Sequence, residues 1–174
     1  ALAAALAAYR LAPKVELPPE TPRRLYGPAD APLKLVEWTD GRCPHCATLV
    51  GRIAELKRVL PAGLLSVEAR QYPLSSECNS TMQRPDPTGV VCAMAKVQVC
   101  LEKSPEFWTL REQLFSYQRQ LRSPDHVLTV ASNGSVDRAT LEACMQSPET
   151  QAKIESDVKT AMAYKLTGTP LVSL

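Results

Sequence analysis

Several resources that proteins use to build sites are scarce in this sequence. Histidine occurs twice, as His45 and His126, and among six cysteines one pair alone stands at short spacing, Cys43 with Cys46. Such a pair is half of many zinc sites, but zinc would need two further ligands. No second short-spaced pair exists to supply them, so no metal is expected. Charge of one sign is also missing: 20 basic and 18 acidic residues, spread along the chain, leave a net charge of +2. Nucleic-acid binding needs a basic patch or stripe, and is set aside. There is no long apolar run either. The opening "ALAAALAA" is eight residues, whereas a membrane helix takes about 20. No internal repeat is visible.

What the chain does have is length for one well-buried domain, or one domain with a sizeable insertion, at 174 residues of which 45% are apolar. Six cysteines, at 43, 46, 78, 92, 100 and 144, are many for a reduced cytosolic protein and too few for a core-poor disulfide scaffold. The even count points to an oxidising compartment. The opening alanine-rich run reads as a remnant, the end of a signal peptide or the exit of a membrane helix, and either origin places the rest in the periplasm or another extracytoplasmic space; the alternative is an ordinary alanine-rich helix cap. Next, "APKVELPPETPRR" carries four prolines and no apolar period, the composition of an extended spacer. Residues 1–24 are therefore expected to be remnant and tether.

From there the pattern turns to packed structure. Leu33, Leu35, Val36 and Trp38 mark a buried strand over 33–39. A helix opening near Cys43 presents Leu49, Ile53, Leu56 and Leu60 on one face and stops at Pro61 and Gly63. "LLSVEARQYP" then reads as a second strand, giving a parallel βαβ unit over 25–75. Residues 76–166 read as helix after helix, with Ser104-Pro105, Ser123-Pro124 and Ser147-Pro148 each placing serine at an N-cap and proline at the first helical position. Leu110, Leu114 and Tyr117 are expected on the inner face of one of these helices, and Leu141, Cys144 and Met145 on that of another. Trp38 and Trp108 are expected in the core, and His126 on the surface. Finally, 167–174 forms a turn at Gly168 and a short strand.

The chemistry concentrates in "GRCPHC". The thiolate is the reactive form of cysteine, so a reactive thiol needs surroundings that favour negative charge. A helix start supplies unpaired N–H groups and the positive end of the dipole. Cys43 falls there, Cys46 lies one turn further in, and Arg42 and His45 are candidates to stabilise the thiolate. Pro44 fixes the turn that holds both sulfurs. A lone Cys-x-x-Cys beside a βαβ pattern favours a redox pair over zinc. It also makes a poor staple, because so short a ring removes little chain entropy.

These features add up to a resemblance. "GPADAPLKLVEWTDGRCPHC" resembles the entry into the DsbA-like branch of the thioredoxin fold, and "TGTP" before a strand resembles that fold's cis-proline loop. The likeness spreads over residues 27–174. "YPLSSECNS", "VVCAMAKVQVC" and "FWTLREQLF" are, more loosely, similar to thioredoxin-like domains fused or partnered to bacterial vitamin K epoxide reductase homologues. The fold so implied is α/β, thioredoxin-like, with an inserted all-helical domain. The implied activity is thiol–disulfide exchange with cysteine-containing secreted proteins, in the oxidising direction, with no cofactor beyond the cysteine pair and with a membrane partner to reoxidise it. Cys43 becomes the attacking thiol, Cys46 the resolving thiol and Pro170 the cis-proline facing them. Glu37 falls where such proteins bury an acid that assists proton transfer, its alternative being an outward-facing strand carboxylate. Thr169 departs from the valine common in thiol oxidases and resembles the isomerase branch. A disulfide isomerase or reductase and a non-catalytic binding module are the rival readings. A kappa-type glutathione transferase is disfavoured, since serine normally replaces the cysteine pair there.

Four cysteines remain, and geometry limits their pairing. If Cys92 and Cys100 share a helix, eight residues of rise put them about 12 Å apart. A disulfide tolerates at most roughly 7 Å between α-carbons. Each must then reach Cys78 or Cys144. The shorter loop favours Cys78 with Cys92 and leaves Cys100 for Cys144. The fold also ordinarily continues beyond the cis-proline strand, so a sequence stopping at "LVSL" is expected to lack a tail.

Overall fold

The computed structural model describes residues 24–166 and 168–173. The alanine-rich start and the proline-rich spacer up to residue 23 lie outside the described residues, as do Thr167 and Leu174. A four-stranded sheet in the order β1-β3-β2-β4 forms the centre. Its strands are β1 (Leu25–Tyr26), β2 (Leu33–Thr39), β3 (Leu65–Gln71) and β4 (Leu171–Ser173). β2 and β3 run parallel, in register from Leu33 opposite Leu65 to Thr39 opposite Gln71, and the short β1 and β4 flank them antiparallel. Between β2 and β3 the chain makes helix α1 (Pro44–Val59). Gly27 permits the turn from β1 towards β2: its φ is +74°, and a Cβ there would meet the Leu65 carbonyl oxygen at 2.2 Å.

Strand alternation sorts the side chains. Leu35, Leu65 and Val67 pack with Ile53 and Leu49 of α1, and with Trp108 of α3 (Phe107–Ser116). Glu37 and Thr39 share that parity. Trp38 and Val36 point the other way, onto Ile154, Val158 and Ala161 of α6 (Pro148–Ala163). Part of the stretch read from sequence as helical insertion therefore covers the second face of the sheet. The remaining helices, α2 (Val90–Cys100), α4 (Pro124–Ala131) and α5 (Arg138–Met145), build a core with α3 around Met94, Val97, Leu110, Leu114 and Leu128. α2 serves both cores, since its Ala95 and Val99 belong to the cluster around Trp38.

Some local expectations need correcting. The buried stripe of α1 is Cys46, Val50, Ile53 and Ala54, and Leu56 is 39% exposed. Small residues and the stem of Lys57 occupy the inner face instead, the ammonium lying 4.8 Å from the Trp108 ring centre and 2.6 Å from Glu112 Oε1. Tyr117 is 47% exposed, at the C-cap that follows the last residue of α3, Ser116. Ser123 and Ser147 do cap helices, accepting from the His126 and Thr150 N–H groups. Ser104 does not: α3 starts at Phe107 with Glu106 at its N-cap, and the Ser104 hydroxyl accepts from the Glu106 N–H in the preceding turn. His126 is exposed, Trp38 is fully buried and Trp108 is half-buried.

Arg24, read as the end of the tether, is 1% exposed. Its guanidinium pairs with Asp157 of α6, and its Nε donates to the Ala69 carbonyl at 2.6 Å. Asp157 also accepts from the Gln71 N–H at 2.9 Å and lies 3.5 Å from Arg70 Nη1. Burial raises the Asp157 carboxyl above its ordinary range, and the two guanidiniums oppose that.

Two disulfides tie the helices. Cys78 joins Cys92 across 14 residues with α-carbons 5.8 Å apart, and Cys100 joins Cys144 across 44 residues with α-carbons 5.9 Å apart. Among the described residues no helix is long and apolar enough to cross a membrane.

Candidate active site

β2 delivers the chain to the start of α1, and the turn between them carries the redox candidates. Asp40, 2% exposed, organises this turn by accepting from the Arg42 N–H at 2.8 Å. Its other oxygen accepts from the Leu74 N–H at 2.8 Å, which joins the loop after β3 to the same turn. Gly41 lets the turn approach α2 closely, since a Cβ there would fall 2.6 Å from Met94 Cβ. Gln118 closes the other side, its Nε2 donating to the Gly41 and Cys43 carbonyls at 2.8 and 3.0 Å.

Cys43 is itself the N-cap of α1, with Pro44 at the first helical position. Its sulfur accepts from the Cys46 N–H at 3.3 Å and lies 3.4 Å from the Thr169 carbonyl oxygen. The Thr169–Pro170 bond is cis, and β4 follows directly. The structure thus brings Cys43, Cys46, Thr169 and Pro170 together from opposite ends of the described chain. Both Cys43 and Cys46 are free thiols, Cys43 half-buried and Cys46 buried.

Cys46 is 0% exposed, and its sulfur accepts from the Asp40 N–H at 3.5 Å. Burial pushes its thiol well above the ordinary thiol range, with the neighbouring Cys43 sulfur adding to the effect and the Asp40 N–H opposing it. The consequence for stability has a definite sign. Above about pH 8.5 the unfolded thiol loses its proton while the folded one keeps it, so the dithiol protein should lose stability as pH rises, by up to about 1.4 kcal/mol per unit. Urea unfolding of the dithiol form from pH 7.5 to 10, compared with Cys46→Ala, checks this. Equal pH dependence in the two proteins would contradict it.

Glu37 of β2 is 0% exposed, facing the interior rather than solvent. Its Oε1 sits 2.9 Å from Arg111 Nη2, and burial raises its carboxyl while Arg111 and, more weakly, Lys57 counteract. Arg111, Asp40 and Gln118 escaped the sequence reading. Arg111 did carry a signal: it stands between Leu110 and Leu114, and a charge inside an apolar stripe needs a buried partner. The Arg42 guanidinium donates to the Leu121 carbonyl at 3.0 Å, and His45 is exposed.

A family model described as Thioredoxin matches residues 20–174. The chain belongs to the thioredoxin family. Among solved structures, BdbD from Bacillus subtilis superposes with a TM-score of 0.69 at 18% identity, covering 87% of this chain and 80% of that one. Alpha-DsbA1 from Wolbachia pipientis gives 0.68 at 18%, covering 90% and 75%. Likenesses this distant establish the fold, thioredoxin-like with helices inserted as in DsbA proteins. A curated relative, the Na(+)/H(+) antiporter NhaA 1 of Mycolicibacterium gilvum, is 29% identical over 145 residues, which cover 83% of this chain and 22% of the antiporter. This thioredoxin-family chain thus spans about a fifth of that relative's length.

Proposed function

We propose that the protein is an extracytoplasmic thiol–disulfide oxidoreductase that acts on cysteine-containing secreted proteins, with oxidation of clients as the favoured direction. The observation that carries this reading is the placing of the Cys43 sulfur, partly exposed at a helix N-terminus and against the Thr169–Pro170 peptide, with a buried partner thiol one turn inward. In the oxidised protein, a client thiolate attacks the Cys43 sulfur. The Cys43–Cys46 bond breaks, Cys46 departs with the electron pair and takes up a proton, and a mixed disulfide joins client to Cys43. A second client thiolate then attacks the client sulfur, expelling Cys43 as a thiolate and leaving a disulfide in the client. Pro44 and His45 hold the ring between the two sulfurs, and Thr169 with Pro170 offers the backbone against which a client strand aligns.

Two disulfides elsewhere in the chain support an oxidising compartment. Residues 1–24, of which Arg24 is anchored in the core, form the tether in this reading. A membrane redox partner reoxidises the pair after each cycle.

Equilibration with glutathione buffers tests the direction. An oxidase should show a potential near or above roughly −180 mV, and a value below about −270 mV would turn the assignment to a reductase.

A further inference from the structure

Asp40 touches the redox pair through its backbone. Its N–H donates to the Cys46 sulfur at 3.5 Å. That N–H belongs to the planar Thr39–Asp40 peptide, whose other polar group, the Thr39 carbonyl, accepts from the Tyr72 N–H at 2.9 Å. Whatever fixes residue 40 therefore fixes how this peptide is aimed at the sulfur. The side chain does so from two directions: Oδ1 accepts from the Arg42 N–H at 2.8 Å, and Oδ2 accepts from the Leu74 N–H at 2.8 Å. The Asp40 carbonyl accepts from the Cys43 N–H at 3.3 Å, so one residue holds the turn at both cysteines.

The side chain is 2% exposed, and burial raises its carboxyl while the N–H groups of Leu74, Arg42 and Cys43 oppose that. The charge facing it from another element is Asp86, in the segment before α2, and its sign is the same. Cys46 faces Cys43 and the Arg111 guanidinium. A carboxylate on the residue whose N–H meets the Cys46 sulfur opposes, as a charge, a thiolate forming there. It can favour that thiolate only through what it holds in place.

We propose that Asp40 is a positioning residue for the dithiol–disulfide reaction: its carboxylate locks the Thr39–Asp40 peptide so that the Asp40 N–H meets the Cys46 thiolate whenever the bond between the two sulfurs breaks or forms. The inference rests on the oxidoreductase reading above. In the opening step an outside thiolate attacks the Cys43 sulfur, the Cys43–Cys46 bond breaks, and Cys46 departs with the electron pair towards a donor already aimed at it. In the closing step Cys46 loses its proton, which ends in solvent, and its thiolate attacks the Cys43 sulfur of a mixed disulfide. The Cys43–Cys46 bond forms, and the outer sulfur leaves with the electron pair as a thiolate. A donor fixed before the charge appears costs no reorganisation when it does. At neutral pH Cys46 is uncharged before and after each step, as a buried thiol or as a disulfide sulfur. Loosening the donor therefore slows opening and closing alike and hardly moves the balance between them.

The test mixes the dithiol protein with oxidised glutathione at neutral pH, quenches with acid at successive times, and weighs the glutathione adduct and the closed disulfide by mass spectrometry. Each tenfold fall in thiolate population should slow closing about three- to fourfold, because the less stable thiolate is the better nucleophile. Asp40→Asn keeps one acceptor oxygen for two N–H groups, and should close about threefold more slowly than wild type. Asp40→Ala keeps neither oxygen and should close at least about tenfold more slowly, the rate expected if the thiolate population falls by the roughly hundredfold that loss of a whole anion-binding donor costs. In both variants the equilibrium constant against glutathione should stay within about twofold of wild type. Acting as a charge alone, Asp40 would give the opposite sign, and Asp40→Asn would close faster. Closing in Asp40→Asn that is faster than wild type or within about twofold of it, or an equilibrium constant that shifts as far as the rate, would overturn the proposal. Should Asp40→Ala fail to fold, Asp40→Asn decides. Failure of wild type to react with oxidised glutathione would instead overturn the oxidoreductase reading beneath it.

Discussion

Asp157→Ala should cost about 3–5 kcal/mol of stability, the range for removing one partner of a buried ion pair. The carboxylate is the only acid paired with Arg24 among the described residues, and it holds the Gln71 backbone N–H at the end of β3. Its loss strands a buried guanidinium and unpins α6 from the sheet. Arg70 suffers less, because Glu68 Oε1 lies 2.9 Å from its Nη2. Against a typical total of 5–15 kcal/mol, such a loss should leave the variant partly unfolded at physiological temperature. Urea titration measures it directly, and Arg24→Met combined with Asp157→Leu should recover part of the stability, since the stranded Arg24 charge is then gone while the Gln71 N–H still lacks its acceptor. A loss below about 1 kcal/mol for Asp157→Ala would mean that the pair behaves like an exposed one.

Replacing both Cys100 and Cys144 with serine should cost nearly as much. In the chain-entropy account, releasing a 44-residue loop costs about 4 kcal/mol, against about 3 kcal/mol for the 14-residue loop closed by Cys78 and Cys92. The Cys100–Cys144 bridge also ties α2 to α5, whereas the Cys78–Cys92 bridge ties a loop to the first turn of α2. The two double-serine variants should therefore rank in that order by chemical denaturation. The reverse order, or no loss for Cys100→Ser/Cys144→Ser, would contradict the entropic account of these bridges.

The parts of the fold that could be read in advance are those whose cause is local. Leu33 to Thr39 and Leu65 to Gln71 carry strand residues bounded by turn signals, and Ser123-Pro124 and Ser147-Pro148 announce helix starts within two residues. Cys43 and Cys46 stand three positions apart because one turn of helix must hold both sulfurs. Arg24 shows the opposite case. Its arginine next to a proline-rich stretch reads as solvated, and what buries it is a carboxylate 133 residues away. Arg111 and Glu37 likewise justify each other across 74 positions, and no local pattern announces the pairing. Leu56 and Tyr117 break the apolar spacing for a simpler reason: small residues and a lysine stem fill the inner face of α1, and Tyr117 stands at the C-cap of α3 rather than within it.

The central claim is that Cys43 attacks and Cys46 resolves. Trapping distinguishes the two most directly: Cys46→Ser and Cys43→Ser proteins are mixed with reduced and oxidised secreted proteins, quenched with acid and resolved without reductant. The half-exposed Cys43 sulfur should capture clients as stable mixed disulfides in Cys46→Ser, and Cys43→Ser should capture none, its remaining thiol being fully buried. Capture by Cys43→Ser, or none by Cys46→Ser, would contradict the assignment.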